Sequence, residues 1–186
     1  MNILFIHGNY PAQFRGLAAD LGKQGIHDVR FLTARKDHDA FPIDGVKVEQ
    51  YDETITENDL TGSQAENIAR EQIIRGEKIQ DSIARLARKG FIPRLIFFHG
   101  GNGIGLFIKQ LIPNACIIGY FEWYFSNRCA NLILNRDDIK SYNFIQSRNL
   151  SSQQEILDCD ACVVPTKWQL AQFPPKIRPY LTTIFD

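Results

Sequence analysis

Runs of consecutive apolar residues alternate along this chain with segments whose apolar residues recur every three or four positions. The first run, residues 2–7, predicts a buried strand. The apolar positions that follow lie on one face of a predicted helix: Phe14, Leu17, Ala18 and Leu21. Residues 28–33 predict a second strand. A strand, a helix and a strand within about 30 residues form a βαβ unit, whose two strands are parallel.

The same alternation continues to the last residue. Further strands are predicted over 46–51, 94–99, 116–121, 159–164 and 182–186, and the first of these has the alternation of an edge strand. Helices are predicted over 64–89 and 104–111, with one or two more over 127–154. The predicted fold class is therefore α/β, a Rossmann-like, mostly parallel sheet flanked by helices.

Composition narrows the class of protein. The 186 residues are 44% hydrophobic and suffice for a single domain, 1–186, with a buried core. Lys plus Arg number 21 and Asp plus Glu number 21, so the net charge is zero and no overall positive potential favours binding to nucleic acid. The first residues lack the basic region of a signal peptide, and no apolar run is long enough to cross a bilayer, which predicts a cytoplasmic protein.

Polar and aromatic residues follow three of the predicted strands where each strand ends. They are residues 7–11, 99–102 and 122–124. In an open parallel sheet, ligands bind beyond the carboxyl ends of the strands, where these residues would meet. The sequence therefore predicts a ligand site formed by His7, His99 and Glu122 with their neighbours.

Residues 100–105, here called the glycine loop, read Gly-Gly-Asn-Gly-Ile-Gly. Their spacing does not match the dinucleotide-binding fingerprint, and the chain contains no phosphate-binding P-loop motif. Glycines let a backbone approach a ligand, and the start of the following helix would offer N–H groups to an anion. The alternative is a tight strand-to-helix turn with no ligand.

Each of the three candidate side chains has two interpretations, one as part of a ligand site and one as a structural residue. His99, and likewise His7, would exchange hydrogen bonds with a sugar hydroxyl, or would be satisfied by local backbone groups. Glu122 precedes Trp123-Tyr124-Phe125, and a carboxylate beside aromatic rings is a common arrangement for binding a sugar. The alternative for Glu122 is a surface carboxylate next to core aromatic residues.

The four cysteines fit reduced thiols better than a disulfide framework. Cys159 and Cys162 have CxxC spacing, but strand alternation would place their thiols on opposite faces. Cys116 and Cys129 do not form a second close pair, so the sequence predicts no metal site.

Four segments of the chain together have a recognisable pattern. They are residues 1–14 (MNILFIHGNYPAQF), residues 90–103, residues 119–124 (GYFEWY) and residues 164–169 (VPTKWQ) followed by Phe173-Pro174. In this order they resemble the N-terminal domain of bacterial GT-B fold glycosyltransferases of the family 4 group. Residues 90–103 are similar to the group's "GF-P-D-L-I-x-x-H-x-G-W-G" stretch, although Arg94 replaces its aspartate and Asn102 its tryptophan.

The resemblance implies two Rossmann-like domains facing a cleft, with this chain as the acceptor-side half and the donor-binding C-terminal domain outside it. It implies a retaining transferase that uses a nucleotide-sugar as co-substrate, without a cofactor or metal, and little activity for this half alone. The acceptor would be a glycan, a lipid-linked molecule or a small molecule. If it is lipid-linked, the protein would bind peripherally to the inner face of the membrane.

The same resemblance assigns roles to individual residues. His99 would contact the donor sugar or the reacting centre, and Gly8 and Asn9 would line the cleft near the diphosphate. Glu122 and Trp123 would lie on the acceptor side. Together with the ligand site predicted above, the substrate-binding residues are His7, Gly8, Asn9, Gly100, Gly101, Asn102, Glu122 and Trp123, with His99 as the catalytic residue.

Two alternatives stay open at this point. One is a stand-alone flavodoxin-like module with a ligand-binding or regulatory role, and flavin is a candidate ligand given Trp123 and Tyr124. The other keeps the GT-B fold but carries out sugar epimerisation or phosphorolysis.

Overall fold

A computed structural model describes residues 1–126 and 139–185. Its strands are β1 Asn2–Ile6, β2 Asp28–Thr33, β3 Val46–Gln50, β4 Leu95–His99, β5 Cys116–Tyr120, β6 Ala161–Val164 and β7 Leu181–Thr183. Its α-helices are α1 Arg15–Lys23, α2 Gln64–Arg88, α3 Ile108–Leu111, α4 Ile139–Ser147, α5 Leu150–Asp158 and α6 Lys167–Gln172. The predicted α/β, Rossmann-like fold class is confirmed.

All seven strands form one parallel sheet in the order β3-β2-β1-β4-β5-β6-β7. The chain starts in the middle of the sheet, extends to β3 at one edge, and returns through α2 to β4 beside β1. It then extends to β7 at the other edge. The strand order therefore reverses between β1 and β4, and the carboxyl side of such a reversal is where open α/β sheets bind ligands.

The strands bury alternate residues on the two faces of the sheet, as the two-residue period requires. On one face, Leu4 and Phe98 join the core that contains Ile83 of α2. On the other, Phe5 packs with Phe14, which lies just before α1. The two cores fix the central strands from both sides and so fix the positions of the residues at their carboxyl ends.

Helix α2 lies directly behind the glycine loop. It begins at a capping box in which Ser63 and Glu66 exchange hydrogen bonds with each other's backbone N–H groups. Gly76 in this helix packs against the loop so closely that a Cβ there would lie 2.9 Å from the carbonyl oxygen of Gly103. The absence of a side chain at position 76 therefore lets the loop approach the helix.

Some predicted boundaries are wrong. Helix α3 begins at Ile108, not at residue 104, because residues 104–107 form turns rather than α-helix. In these turns the N–H groups of Leu106 and Ile108 donate to carbonyl oxygens only three residues earlier. Strand β6 begins at Ala161, and strand β7 ends at Thr183.

Within residues 1–126 and 139–185, no helix combines the length and the apolar sequence needed to cross a bilayer.

The helices predicted over 127–154 correspond to α4 and most of α5. Residues 127–138 of that prediction, including Cys129, lie outside the described residues.

Candidate functional site

The structure brings together the three side chains predicted from the ends of β1, β4 and β5. These strands are neighbours, so His7, His99 and Glu122 project from the same edge of the sheet. The imidazole rings of His7 and His99 have centroids 4.5 Å apart, and Nε2 of His99 lies 3.3 Å from Oε2 of Glu122. The three side chains therefore lie in one cluster at this edge, and that the cluster binds a ligand stays a prediction.

His99 is a neutral imidazole with a defined tautomer. Burial lowers its pKa to about 4, so the ring is uncharged near neutral pH. Because a carboxylate only accepts hydrogen bonds, the ring proton lies on Nε2 and is donated to Glu122. The lone pair of Nδ1 accepts no hydrogen bond from the described residues, and it is able to accept one from a ligand hydroxyl.

His7 is held differently. Its Nδ1 accepts the backbone N–H of Asn9 at 2.8 Å, which fixes the orientation of the ring. Burial, and to a smaller extent the neighbouring His99, lower its pKa to about 4. His7 is therefore also neutral, and its proton is on Nε2.

Glu122 receives a second hydrogen bond, from Nε2 of Gln13 at 3.2 Å. Gln13 lies in the short turn that precedes α1 and is 109 residues away in sequence. The carboxylate thus connects the loop after β1 with the end of β4. No sequence signal identified Gln13, because a single glutamine beside a helix start is common on protein surfaces.

Three N–H groups of the glycine loop are hydrogen-bonded to internal side chains, so these three are not available to an external anion. The N–H groups of Gly101 and Gly105 donate to the two carboxyl oxygens of Glu155, at 2.6 and 3.0 Å. The N–H of Gly103 donates to Oγ of Ser151 at 3.1 Å. Side chains of helix α5 therefore accept these hydrogen bonds from the side of the loop that faces away from the cleft.

Glu155 is completely buried and was not predicted. Burial raises the pKa of its carboxyl to about 7, although the loop N–H groups act in the opposite direction. Its helix reads as polar in sequence, with Ser151, Ser152 and Glu155 on the buried side. Such a face has no apolar period, so the hydrophobic pattern gives no signal that these residues are internal.

The loop requires glycine for two reasons: neighbouring atoms leave no room for a Cβ, and some positions have positive φ angles. A Cβ at Gly100 would lie 2.3 Å from the ring of Phe121. At Gly103, where φ is +89°, it would lie 2.0 Å from the carbonyl oxygen of Gln72. The loop is therefore packed tightly between β5 and α2, and its position beside His99 is fixed.

Two adjoining pockets form a cleft at this edge of the sheet. The smaller pocket, of about 250 Å³, is lined by His99, Gly100, Gly101, Asn102, Trp123, Phe125, Arg148 and Ser152. The larger pocket, of about 390 Å³, is lined by His7, Gly8, Glu53, Ile68, Glu71, Gln72, Arg75, His99, Asn102, Ile104 and Arg148. Both pockets share His99, Asn102 and Arg148.

The remaining predicted residues lie in or beside this cleft. Gly8 lines the larger pocket, whereas Asn9 is exposed next to it and contributes its N–H to His7. Trp123 is 42% exposed at the smaller pocket, and its ring lies 6.1 Å from that of Trp168 in an edge-on arrangement. A half-exposed aromatic ring at a pocket is suited to cover the apolar face of a sugar.

The cysteines differ from their predicted arrangement. Cys159 precedes β6 and ends helix α5, so strand alternation does not apply to it. Its thiol interacts with that of Cys162, and this contact together with burial raises the pKa of Cys159. Both are free thiols. In the described part of the chain, no group of three His, Cys, Asp or Glu side chains is placed to bind a metal ion.

Residues 25–186 match the model of the glycosyl transferase family 4 group. The chain belongs to this family. The matched segment includes His99, the glycine loop and Glu122, and the family assignment speaks against the flavodoxin-like alternative. None of the curated proteins matches the sequence of this family 4 chain.

Solved structures with the same fold include plant enzymes. Phytolacca americana UGT2, complexed with UDP-2-fluoro-glucose and pterostilbene, has a TM-score of 0.56 at 11% identity over 100% of this chain and 54% of its own. A Polygonum tinctorium UDP-glucosyltransferase that glucosylates indoxyl, bound to 3,4-dichloroaniline, has a TM-score of 0.59 at 8% identity, covering 100% and 52%.

A third similar structure is a Listeria monocytogenes protein assigned as a UDP-N-acetylglucosamine 2-epimerase, with a TM-score of 0.51 at 11% identity over 92% of this chain and 40% of its own. At these identities the likeness shows the GT-B fold alone. The family 4 chain spans about half the length of the plant enzymes that it matches.

Proposed function

We propose that this chain is the acceptor-side N-terminal domain of a retaining glycosyltransferase. The enzyme would transfer a sugar from a nucleotide-sugar donor to an acceptor hydroxyl in bacterial glycan biosynthesis. The observation that carries the proposal is the neutral His99, hydrogen-bonded to Glu122 at the strand-order reversal of a family 4 chain.

The proposed role of His99 follows from its tautomer. With Nε2–H donated to Glu122, Nδ1 is a hydrogen-bond acceptor of fixed orientation in the cleft. It would hold a hydroxyl of the reacting sugar or of the acceptor, and holding a reactant in one orientation lowers the entropic part of the barrier. Trp123 would cover a face of the acceptor, and Gly8 and Asn9 would lie near the diphosphate.

We further propose that a second Rossmann-like domain binds the donor. The plant enzymes of the same fold are about twice as long as this chain, and one of them binds UDP-2-fluoro-glucose together with pterostilbene. By analogy, the donor here would be a nucleotide-sugar and the acceptor a glycan, a lipid-linked or a small molecule. The second domain would stabilise the leaving diphosphate, so the 186-residue chain alone would have little activity.

We also propose that the reaction needs no cofactor or metal and takes place in the cytoplasm or at the inner face of the membrane. A second candidate activity is epimerisation of a UDP-sugar, which the likeness to the Listeria protein favours. The products distinguish the two: a transferase makes a new glycoside, whereas an epimerase returns the sugar nucleotide with an inverted carbon.

The test is sugar transfer by a polypeptide in which the donor-binding domain follows this chain. His99→Ala should lower turnover by about 100-fold or more, because it removes the group that orients the reacting hydroxyl. The free energy of unfolding should change by only about 1 kcal/mol. His27→Ala, which precedes β2 at the opposite edge of the sheet, is the matched control and should leave turnover unchanged.

Two outcomes would contradict the proposal. Equal turnover for His99→Ala and for the unchanged enzyme would remove His99 from the mechanism. Rapid transfer by the 186-residue chain alone would overturn the two-domain account.

A further inference from the structure

Arg148 is a cation that lines both pockets of the cleft. Among the described residues no carboxylate lies within ion-pair distance of its guanidinium, and its Nε is buried without a hydrogen-bond partner. Arg75, which lines the larger pocket, is different, because it donates to Glu53 and to the carbonyl oxygen of Asn102, both at 2.7 Å. A buried donor left unpaired is costly, which favours a ligand that completes it.

Buried hydrogen bonds hold the segment that carries Arg148. The residue lies in the turn between α4 and α5, and its carbonyl oxygen accepts Nε2 of Gln72 at 3.2 Å. The side-chain amide of the next residue, Asn149, bonds both the N–H and the carbonyl oxygen of Phe125, at 2.8 and 2.9 Å. Asn149 is 1% exposed, so this connection is internal.

Phe125, held in this way, supports the guanidinium. The central carbon of the Arg148 guanidinium lies 4.5 Å from the centroid of the Phe125 ring and 5.9 Å from that of Phe144. A guanidinium stacked on an aromatic face keeps its N–H groups at the rim, where they are able to bond a planar or tetrahedral oxyanion in bidentate fashion. The site is therefore built before any ligand enters.

The charges around Arg148 differ between the two pockets. Among the described residues that line the smaller pocket, Arg148 is the one charged side chain, since burial keeps His99 neutral. The larger pocket also contains Glu53, which is ion-paired with Arg75, and Glu71, so the carboxylates of its lining offset the cations. An anionic group is therefore expected in the smaller pocket, beside Trp123 and the hydroxyl-bearing Ser152.

We propose that Arg148 binds a phosphate group of the ligand that occupies the smaller pocket. The inference rests on the proposed function, because the anion would belong either to a negatively charged acceptor or to the diphosphate of the donor. Both sources present the same oxygens to the guanidinium.

The experiment is isothermal titration of the 186-residue chain at low ionic strength with inorganic phosphate, glucose 6-phosphate and UDP as probes. Arg148→Gln should weaken the binding of the preferred probe by at least about tenfold, and Arg148→Lys should retain part of the affinity, because lysine keeps the charge but not the fork. Arg88→Gln, at the exposed end of α2, removes one charge elsewhere and should bind like the unchanged chain.

The probes distinguish the two sources of the anion. A preference for glucose 6-phosphate assigns Arg148 to an anionic acceptor, and a preference for UDP assigns it to the donor. Arg148→Lys also keeps the test valid if Arg148→Gln does not fold, since the thermal midpoint of each variant is measured first.

The proposal would be overturned if the unchanged chain bound none of the three probes, or if Arg148→Gln and Arg88→Gln weakened binding equally. Its failure is separate from that of the proposed function. A chain that binds phosphate through Arg148, in a two-domain enzyme that transfers no sugar, would keep this inference and remove the transferase.

Discussion

The two sides of the glycine loop differ in how completely their polar groups are hydrogen-bonded. Behind the loop, Glu155 and Ser151 accept three loop N–H groups, and Gln72 bonds the backbone of Ser147, Arg148 and Ser151. In front of it, Nδ1 of His99 and the guanidinium of Arg148 have no polar partner among the described residues. The rear network is closed, whereas the cleft side retains groups that are able to bond a ligand.

This difference separates two tasks within one small region. A fully satisfied buried network gives a backbone one defined position. The cleft-side groups, which still have unused hydrogen-bonding atoms, are held in position by this backbone. His99, for example, is positioned by β4 and the loop. We therefore expect substitutions behind the loop to change stability and substitutions in front of it to change binding and turnover.

The largest effect is expected for Glu155→Ala. The substitution leaves the N–H groups of Gly101 and Gly105 buried without an acceptor, and each such group costs roughly 1–3 kcal/mol. The free energy of unfolding should fall by about 4 kcal/mol at neutral pH. Chemical denaturation followed by circular dichroism measures it.

Two variants serve as controls for this prediction. Glu155→Gln keeps one acceptor oxygen and should lose about half as much stability. Glu77→Gln, at an exposed carboxylate of α2, should change stability by less than about 0.5 kcal/mol. A loss for Glu155→Ala no greater than that of the surface control would contradict the closed network.

The pH dependence of stability provides a smaller test of the same network. Burial raises the pKa of Glu155 from its ordinary 4.5 to about 7, so the folded state favours the protonated carboxyl. This contribution to stability is fully present below pH 4.5 and is lost as the pH rises through about 7. It amounts to about 3 kcal/mol, at about 1.4 kcal/mol for each pKa unit.

Denaturation of the unchanged chain and of Glu155→Gln from pH 4.5 to 8 measures this contribution as the difference between the two slopes. The variant has no titrating group at position 155, so its stability should decline less over the interval. Parallel curves for the two proteins would contradict a raised pKa. Arg75 is common to both proteins and lowers the pKa only slightly, as the last of its causes.

The sequence predicted the parts of the molecule that depend on hydrophobic period. The order of strands and helices follows from it, and so does the cluster of His7, His99 and Glu122, because parallel strands end at one edge. Position at a strand end is a local property that the period reveals.

The network behind the loop could not be predicted in this way. Glu155 and Gln72 are 83 residues apart in sequence and lie on helices whose buried faces contain polar residues. Their burial depends on the pairing of α2, α5 and the loop, which no local pattern specifies. For the same reason no sequence pattern indicated that Glu155 accepts hydrogen bonds from the loop.

The smallest effect is expected in front of the loop, for Glu122→Gln. The carboxylate is partly exposed and its bonds to His99 and Gln13 are 3.3 and 3.2 Å long, so stability should change by less than about 1 kcal/mol. The tautomer of His99 should change instead, because an amide is able to donate as well as accept. Nitrogen NMR of the ring measures this, with an Nε2–H signal expected in the unchanged chain and a mixture of tautomers in the variant. Gln13→Ala, which leaves the carboxylate in place, should keep the Nε2–H form. The same tautomer in all three proteins would mean that Glu122 does not orient His99.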